Sequence, residues 1–116
     1  MNISKFTQKS LQAVNDCEKY AVEYGNQEVE QEHLLYSLLS VEDSLIAKLI
    51  EKMEISTPDF KARVEEALRK RPKVSGGQLF VGEKLNKVLI TAEDEAKQMG
   101  DEYVSVEHLF LAMSGR

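Results

Sequence analysis

EKYAVEYGNQEVEQEHLL, residues 18–35, returns as EDEAKQMGDEYVSVEHLF, residues 93–110. Counting outward from these two stretches, eight identities stand 75 positions apart without a gap. Lys9, Glu18, Ala21, Gly25, Val29, Glu32, His33 and Leu34 recur as Lys84, Glu93, Ala96, Gly100, Val104, Glu107, His108 and Leu109. Apolar character repeats between them: Val14 with Leu89, Cys17 with Ala92, Tyr24 with Met99, Leu35 with Phe110, and Leu38 with Met113. Internal duplication on this scale sets the architecture. It predicts an all-α fold of two helical units related by a pseudo-twofold axis, so that each surface position in one unit has a counterpart in the other.

The spacing within each unit is helical. Thr7 is placed to cap a helix running to about Tyr24, with Leu11, Val14, Cys17 or Glu18, and Ala21 on one face, an amphipathic spacing of three and four. Gly25 follows where a left-handed C-cap favours glycine. A second helix begins near Glu30 and carries Leu34, Leu35, Leu38 and Leu39. A third spans about Glu42 to Met53 with the doublets Leu45, Ile46 and Leu49, Ile50. The fourth is expected to start with Thr57 as N-cap and Pro58 in the first helical position, with Asp59 beside the positive end of the dipole. It presents Phe60, Val64, Ala67 and Leu68, and Pro72 stops it. Ser75, Gly76 and Gly77 mark a connector. The second unit opens at Val81 or Gly82, carries Leu85, Val88, Leu89, Ala92, Ala96 and Met99, turns at Gly100, and resumes with Ser105 as a cap before Leu109, Phe110 and Met113. The expected division is a single domain, residues 1–116, with repeat one at about 6–71, the connector at about 72–80, and repeat two at about 81–116. Counterparts of residues 43–71 would lie near 118–146, so the second repeat reads as incomplete at its C-terminal end and the chain as a piece of a longer protein.

A length of 116 residues suits one domain, and 42% hydrophobic with 30% charged residues is an ordinary globular balance. The net charge of -5 argues against a phosphate-backbone binder, so no nucleic-acid partner is expected. The basic run from Arg69 to Lys73 ends a helix, where cations suit the dipole. With one cysteine no internal disulfide forms, which fits a reducing, cytoplasmic setting. No secretory pattern opens the sequence and no apolar run approaches the ~20 residues of a membrane span, so no membrane partner is expected. Cys17 sits mid-helix on the apolar face and reads as core. His33 and His108 stand in separate units and suggest no nucleophile–base pair. Two histidines and one cysteine show no ligand spacing, so neither a metal site nor a catalytic residue is expected.

The phrases Tyr24-Gly25 with Glu32-His33-Leu34-Leu35, Gly100-Asp101 with Val104-Ser105-Val106-Glu107-His108-Leu109, the opening Lys5-Phe6-Thr7, and Leu85-Asn86-Lys87-Val88-Leu89 together resemble the amino-terminal domain of the Clp ATPases, protein-unfolding machines of the AAA+ class. The resemblance covers essentially the whole chain. Its connector, Arg71 to Gly76, is most similar to the ClpB disaggregase branch, with ClpC and ClpA next. That family's domain has eight helices in two pseudo-symmetric units, of which this sequence accounts for about six. The resemblance implies a non-enzymatic module that receives unfolded protein segments or an adaptor, in a parent that assembles as a homo-hexamer. ATP and magnesium belong to downstream modules, and no Gly-rich phosphate loop followed by Lys and Ser or Thr occurs here, so no cofactor is expected in this chain.

Two candidate sites follow. The ClpB branch implies a peptide-binding surface flanked by Thr7, Asp101 and Glu107, although Thr7 also serves as a helix cap and Asp101 as a turn residue. Its apolar part is open among Phe6, Leu11, Val88, Leu89 and Phe110. The ClpC branch implies an anion or phosphoarginine site at Glu32 and Glu107, where a helix start offers N–H groups to phosphate and a carboxylate forks onto a guanidinium. Gln31 and Val106 stand where that branch carries threonine, a departure that weakens the match. The plain reading of both Glu-His pairs is a helix-start device that orients equivalent helices. A purely structural dimerisation unit is a third reading.

Overall fold

The computed structural model describes residues 5–41, 45–74 and 76–114. Six helices occupy most of them: α1 (Gln8–Glu23), α2 (Gln31–Ser40), α3 (Leu45–Lys52), α4 (Thr57–Arg69), α5 (Glu83–Gln98) and α6 (Val106–Met113). Two strands of two residues each, β1 (Glu28–Val29) and β2 (Phe80–Val81), precede α2 and α5 and pair in parallel. The expected starts of the helix at Glu42 and of the flexible turn at Ser75 lie outside the described residues.

The duplication carries into three dimensions at the level of single bonds. The helix α1 and its counterpart α5 begin and end 75 residues apart, and α2 and α6 begin so. Gly25 and Gly100 adopt φ of 70° and 73°, the left-handed conformation in which a Cβ is strained. Around each, the helix closes in the same Schellman pattern: Gly25 and Asn26 donate to Val22 and Ala21, while Gly100 and Asp101 donate to Lys97 and Ala96. The units then exchange backbone bonds. Thr7 N–H donates to Val104 C=O (3.0 Å), and its counterpart Gly82 N–H donates to Val29 C=O (2.8 Å). The Phe6–Val104 bridge and the Val29–Val81 pair complete the exchange. This reciprocity is what a twofold relation between the units requires. The strands exist for that purpose: the extended residues before each cap lend their ladder groups to the other unit instead of leaving them buried and unpaired.

Apolar faces meet between the units. Cys17, Ala21, Leu34 and Leu38 from the first, and Leu85, Leu89, Ala92 and Leu109 from the second, are buried in one core, closed by Ile46, Ile50, Val64 and Leu68. Three expectations need correction. The cap of α4 is Ser56, whose hydroxyl accepts from Asp59 N–H; Thr57 is already helical and its hydroxyl donates to Ala47 C=O. That puts Pro58 second in the helix. Leu45 and Leu49 do not share the burial of Ile46 and Ile50, because α3 has only one packed face. Ala67 likewise faces solvent.

Candidate functional site

Each unit pins the start of its second helix to the end of its first through a histidine. His33 and His108 occupy the third helical position of α2 and α6, and both are buried. Nδ1 of His33 accepts from Glu30 N–H, and Nδ1 of His108 from Ser105 N–H, both at 2.9 Å. With Nδ1 an acceptor, Nε2 carries the hydrogen in both rings. It donates to Asn26 Oδ1 in the first unit and to Asp101 Oδ2 in the second, again at 2.9 Å. Both rings are thereby fully engaged, as the helix-start reading requires. Burial, with the Arg71 charge adding to it, holds His33 below the usual imidazole range.

The three residues implied for peptide binding gather around the loop from Gly100 to Ser105. Thr7 caps α1, its hydroxyl accepting from Ser10 N–H (3.2 Å), while Ser10 Oγ donates to Val104 C=O (2.7 Å). Asp101 leaves this loop with its side chain 47% exposed despite the bond to His108. Glu107 lies half-buried in the first turn of α6. A cleft of about 270 Å³ at Asp101, to which neither Thr7 nor Glu107 contributes lining, is walled chiefly by charged groups, among them Lys5, Glu93 and Lys97. Exposed Met99 and Tyr103 supply apolar surface nearby in the chain. Of the five apolar candidates, Phe6, Val88 and Leu89 are core, and Leu11 and Phe110 are half-buried. Large apolar side chains that do reach solvent include Val22, Val74, Phe80 and Val81, around the connector.

The two Glu-His pairs are not equivalent. Arg71, just past α4, bonds the Glu32 carboxylate through Nε at 2.9 Å and also through Nη2. A ligand guanidinium at Glu32 would have to displace it. Among the described residues no such cation serves Glu107. Arg71 also lies 3.5 Å from Glu30, whose carboxyl is pushed up to about 7 by burial first, then by Glu28 beside it. Sequence reasoning missed Glu30 and Arg71. The only trace was the divergence within the repeat, Glu30 against Ser105.

Cys17 is buried, its thiol donating to Ala13 C=O and held up at about 12 by burial. Both ring nitrogens of each histidine are bonded to other groups. Among the described residues, no three His, Cys, Asp or Glu side chains are grouped to hold a metal ion, and no helix is long and apolar enough to cross a membrane.

The fold and sequence agree with known proteins. Residues 5–116 match the Clp repeat N-terminal domain family. Chaperone protein ClpB of Nitratidesulfovibrio vulgaris is 45% identical over 97% of this chain, and that of Bacillus anthracis 34% over 98%; the chain spans 14% of either relative. Among solved structures, the Hsp104 N-terminal domain of Candida albicans superposes with a TM-score of 0.85 at 22% identity, covering 93% of this chain and 72% of that one. The N-terminal domain of ClpV1 from Escherichia coli gives 0.88 at 18% identity, covering 98% and 70%. Two bundled helical units, a repeated Glu-His start and this sequence match leave one conclusion: the chain belongs to the Clp repeat N-terminal domain family.

Proposed function

We propose that this domain receives unfolded or aggregated protein segments, or an adaptor carrying them, for the ATPase modules of a ClpB-like cytoplasmic disaggregase that works as a homo-hexamer. It does no chemistry of its own. The observation that carries this reading is the gathering of Thr7, Asp101 and Glu107 about one loop, with Val104 bonded to both Thr7 and Ser10. A rigid, polar-edged rim with exposed Met99 and Tyr103 beside it suits weak capture of extended chain. A neighbour of the same fold, solved with a SciI peptide, supports protein segments as ligands of this architecture. Against a phosphoarginine receptor stands the Arg71 guanidinium already seated on Glu32.

Titration of the isotope-labelled domain with an unfolded model protein and, separately, with phosphoarginine tests the reading. Amide shifts spreading over residues 99–107 and Thr7 with the unfolded protein, weakened in Asp101→Asn and Glu107→Gln, are expected. Shifts confined to the starts of α2 and α6 with phosphoarginine alone would replace it by the receptor reading.

A further inference from the structure

The groove between α5 and α6 and the groove between α1 and α2 are counterparts within the repeat, and three of their four shared lining positions have diverged. The first-unit groove, about 430 Å³, presents Lys9, Gln12, Asp16 and Ser37. At the same positions the second-unit groove, about 330 Å³, carries Lys84, Lys87, Thr91 and Ala112. A neutral amide has become a cation, a carboxylate has gone, and a hydroxyl has become a methyl. One lysine balanced by one aspartate is thus replaced by two lysines with no acid in the lining. Val88 and Met113 extend the apolar floor. Among the described residues neither Lys84 nor Lys87 is engaged in an ion pair.

We propose that the α5–α6 groove binds an acidic-apolar polypeptide segment, its carboxylates on Lys84 and Lys87 and an adjacent apolar side chain on Val88, Ala112 and Met113. Unpaired cations at the edge of an apolar floor attract such a segment and repel a basic one; the charges set selectivity and encounter rate while the floor contributes burial. The partner is recognised locally, against a chain whose net charge of -5 disfavours acidic ligands elsewhere on its surface. This groove shares no lining residue with the cleft at Asp101, so it is a second site and does not rest on the reading of Thr7, Asp101 and Glu107.

Fluorescence anisotropy of the whole chain with three labelled peptides, one apolar core flanked by Asp, by Asn or by Lys, decides the matter. The Asp-flanked peptide is expected to bind most tightly and to weaken with salt. Lys84→Glu with Lys87→Glu should cost roughly tenfold in affinity, and the Gln pair less, while Lys9→Glu has no effect. Thermal unfolding of each variant establishes that it folds. Equal affinity for the three peptides, or a charge-reversed pair that binds like wild type, overturns the proposal. So does loss of binding in Asp101→Asn but not in the lysine variants, which assigns the segment to the other surface. Sedimentation showing that charge reversal abolishes a dimer would assign the groove to a second copy of the chain, also against the proposal.

Discussion

Asp101 ties the loop after α5 to the start of α6 by accepting, at 2.9 Å, the Nε2 hydrogen of the buried His108. The acceptor is also the residue that the resemblance implies for ligand contact, so under the proposed function one carboxylate would serve both the fold and the ligand. Removing it leaves a buried N–H without a partner. Asp101→Ala should lower folding stability by about 1–3 kcal/mol in denaturant titration. Asp101→Asn, which copies Asn26 of the first unit, should stay within about 0.5 kcal/mol of wild type. A loss of client binding in the stable Asn variant would then report the charge and not the fold. Unchanged stability in Asp101→Ala would show that the bond to His108 contributes nothing.

Gly82 is a glycine because of Glu30. A Cβ at position 82 would run into Glu30 Oε1 and come within 2.6 Å of its Cδ, and Glu30 is itself buried. At the counterpart positions, 75 residues away, stand Thr7 and Ser105: a larger cap with a small residue, where here a minimal cap meets a large one. Gly82→Thr alone should cost about 1–3 kcal/mol through overpacking. Adding Glu30→Ser, which reproduces the first arrangement, should restore most of it. A double-mutant cycle with no coupling between the two would rule this explanation out.

Stability should depend on pH through Glu30 and His33 with opposite signs. The Glu30 carboxyl sits at about 7 in the folded protein against an ordinary value of 4.5, so the folded state binds the proton more tightly and stability falls as pH rises between those values. His33 lies below its ordinary 6.5, so its contribution is full above that value and is lost as pH drops through it. Glu30→Gln removes the first effect and keeps the second. The variant should be more stable than wild type at pH 8 by about 1 kcal/mol or more, with the advantage vanishing toward pH 4.5. Parallel stability curves from pH 4.5 to 8 would contradict the assignment.

Arg71 neutralises the acidic pocket formed by Glu28, Glu30 and Glu32. Arg71→Ala strands a buried carboxylate beside two others and should cost about 2–3 kcal/mol at pH 8. The loss should shrink near pH 5 as Glu30 takes up its proton. It should also free Glu32, so phosphoarginine shifts at the start of α2 that appear only in Arg71→Ala would show that the chain's own guanidinium had kept that place closed.

Cys17 should resist an aromatic disulfide reagent in the folded protein and react stoichiometrically in denaturant, because the thiol is both buried and held at about 12. Rapid native-state labelling would mean that α1 opens locally.

The amino-acid pattern alone revealed the duplication, the four helix starts or stops set by Thr7, Gly25, Gly100 and Ser105, and a helix-start role for His33 and His108, because caps and amphipathic spacing act within one or two turns. It placed the cap of α4 one residue late, since Ser56 and Thr57 are chemically equivalent and only the reach of Thr57 to Ala47 separates them. Tertiary structure alone decided which apolar side chains face water, which carboxylate meets Arg71, and that each unit lends its leading strand to the other. Those contacts join residues tens of positions apart, 39 for Glu32 with Arg71 and 94 for Ser10 with Val104, where no local period carries the information. Packing selects them only after both halves have met.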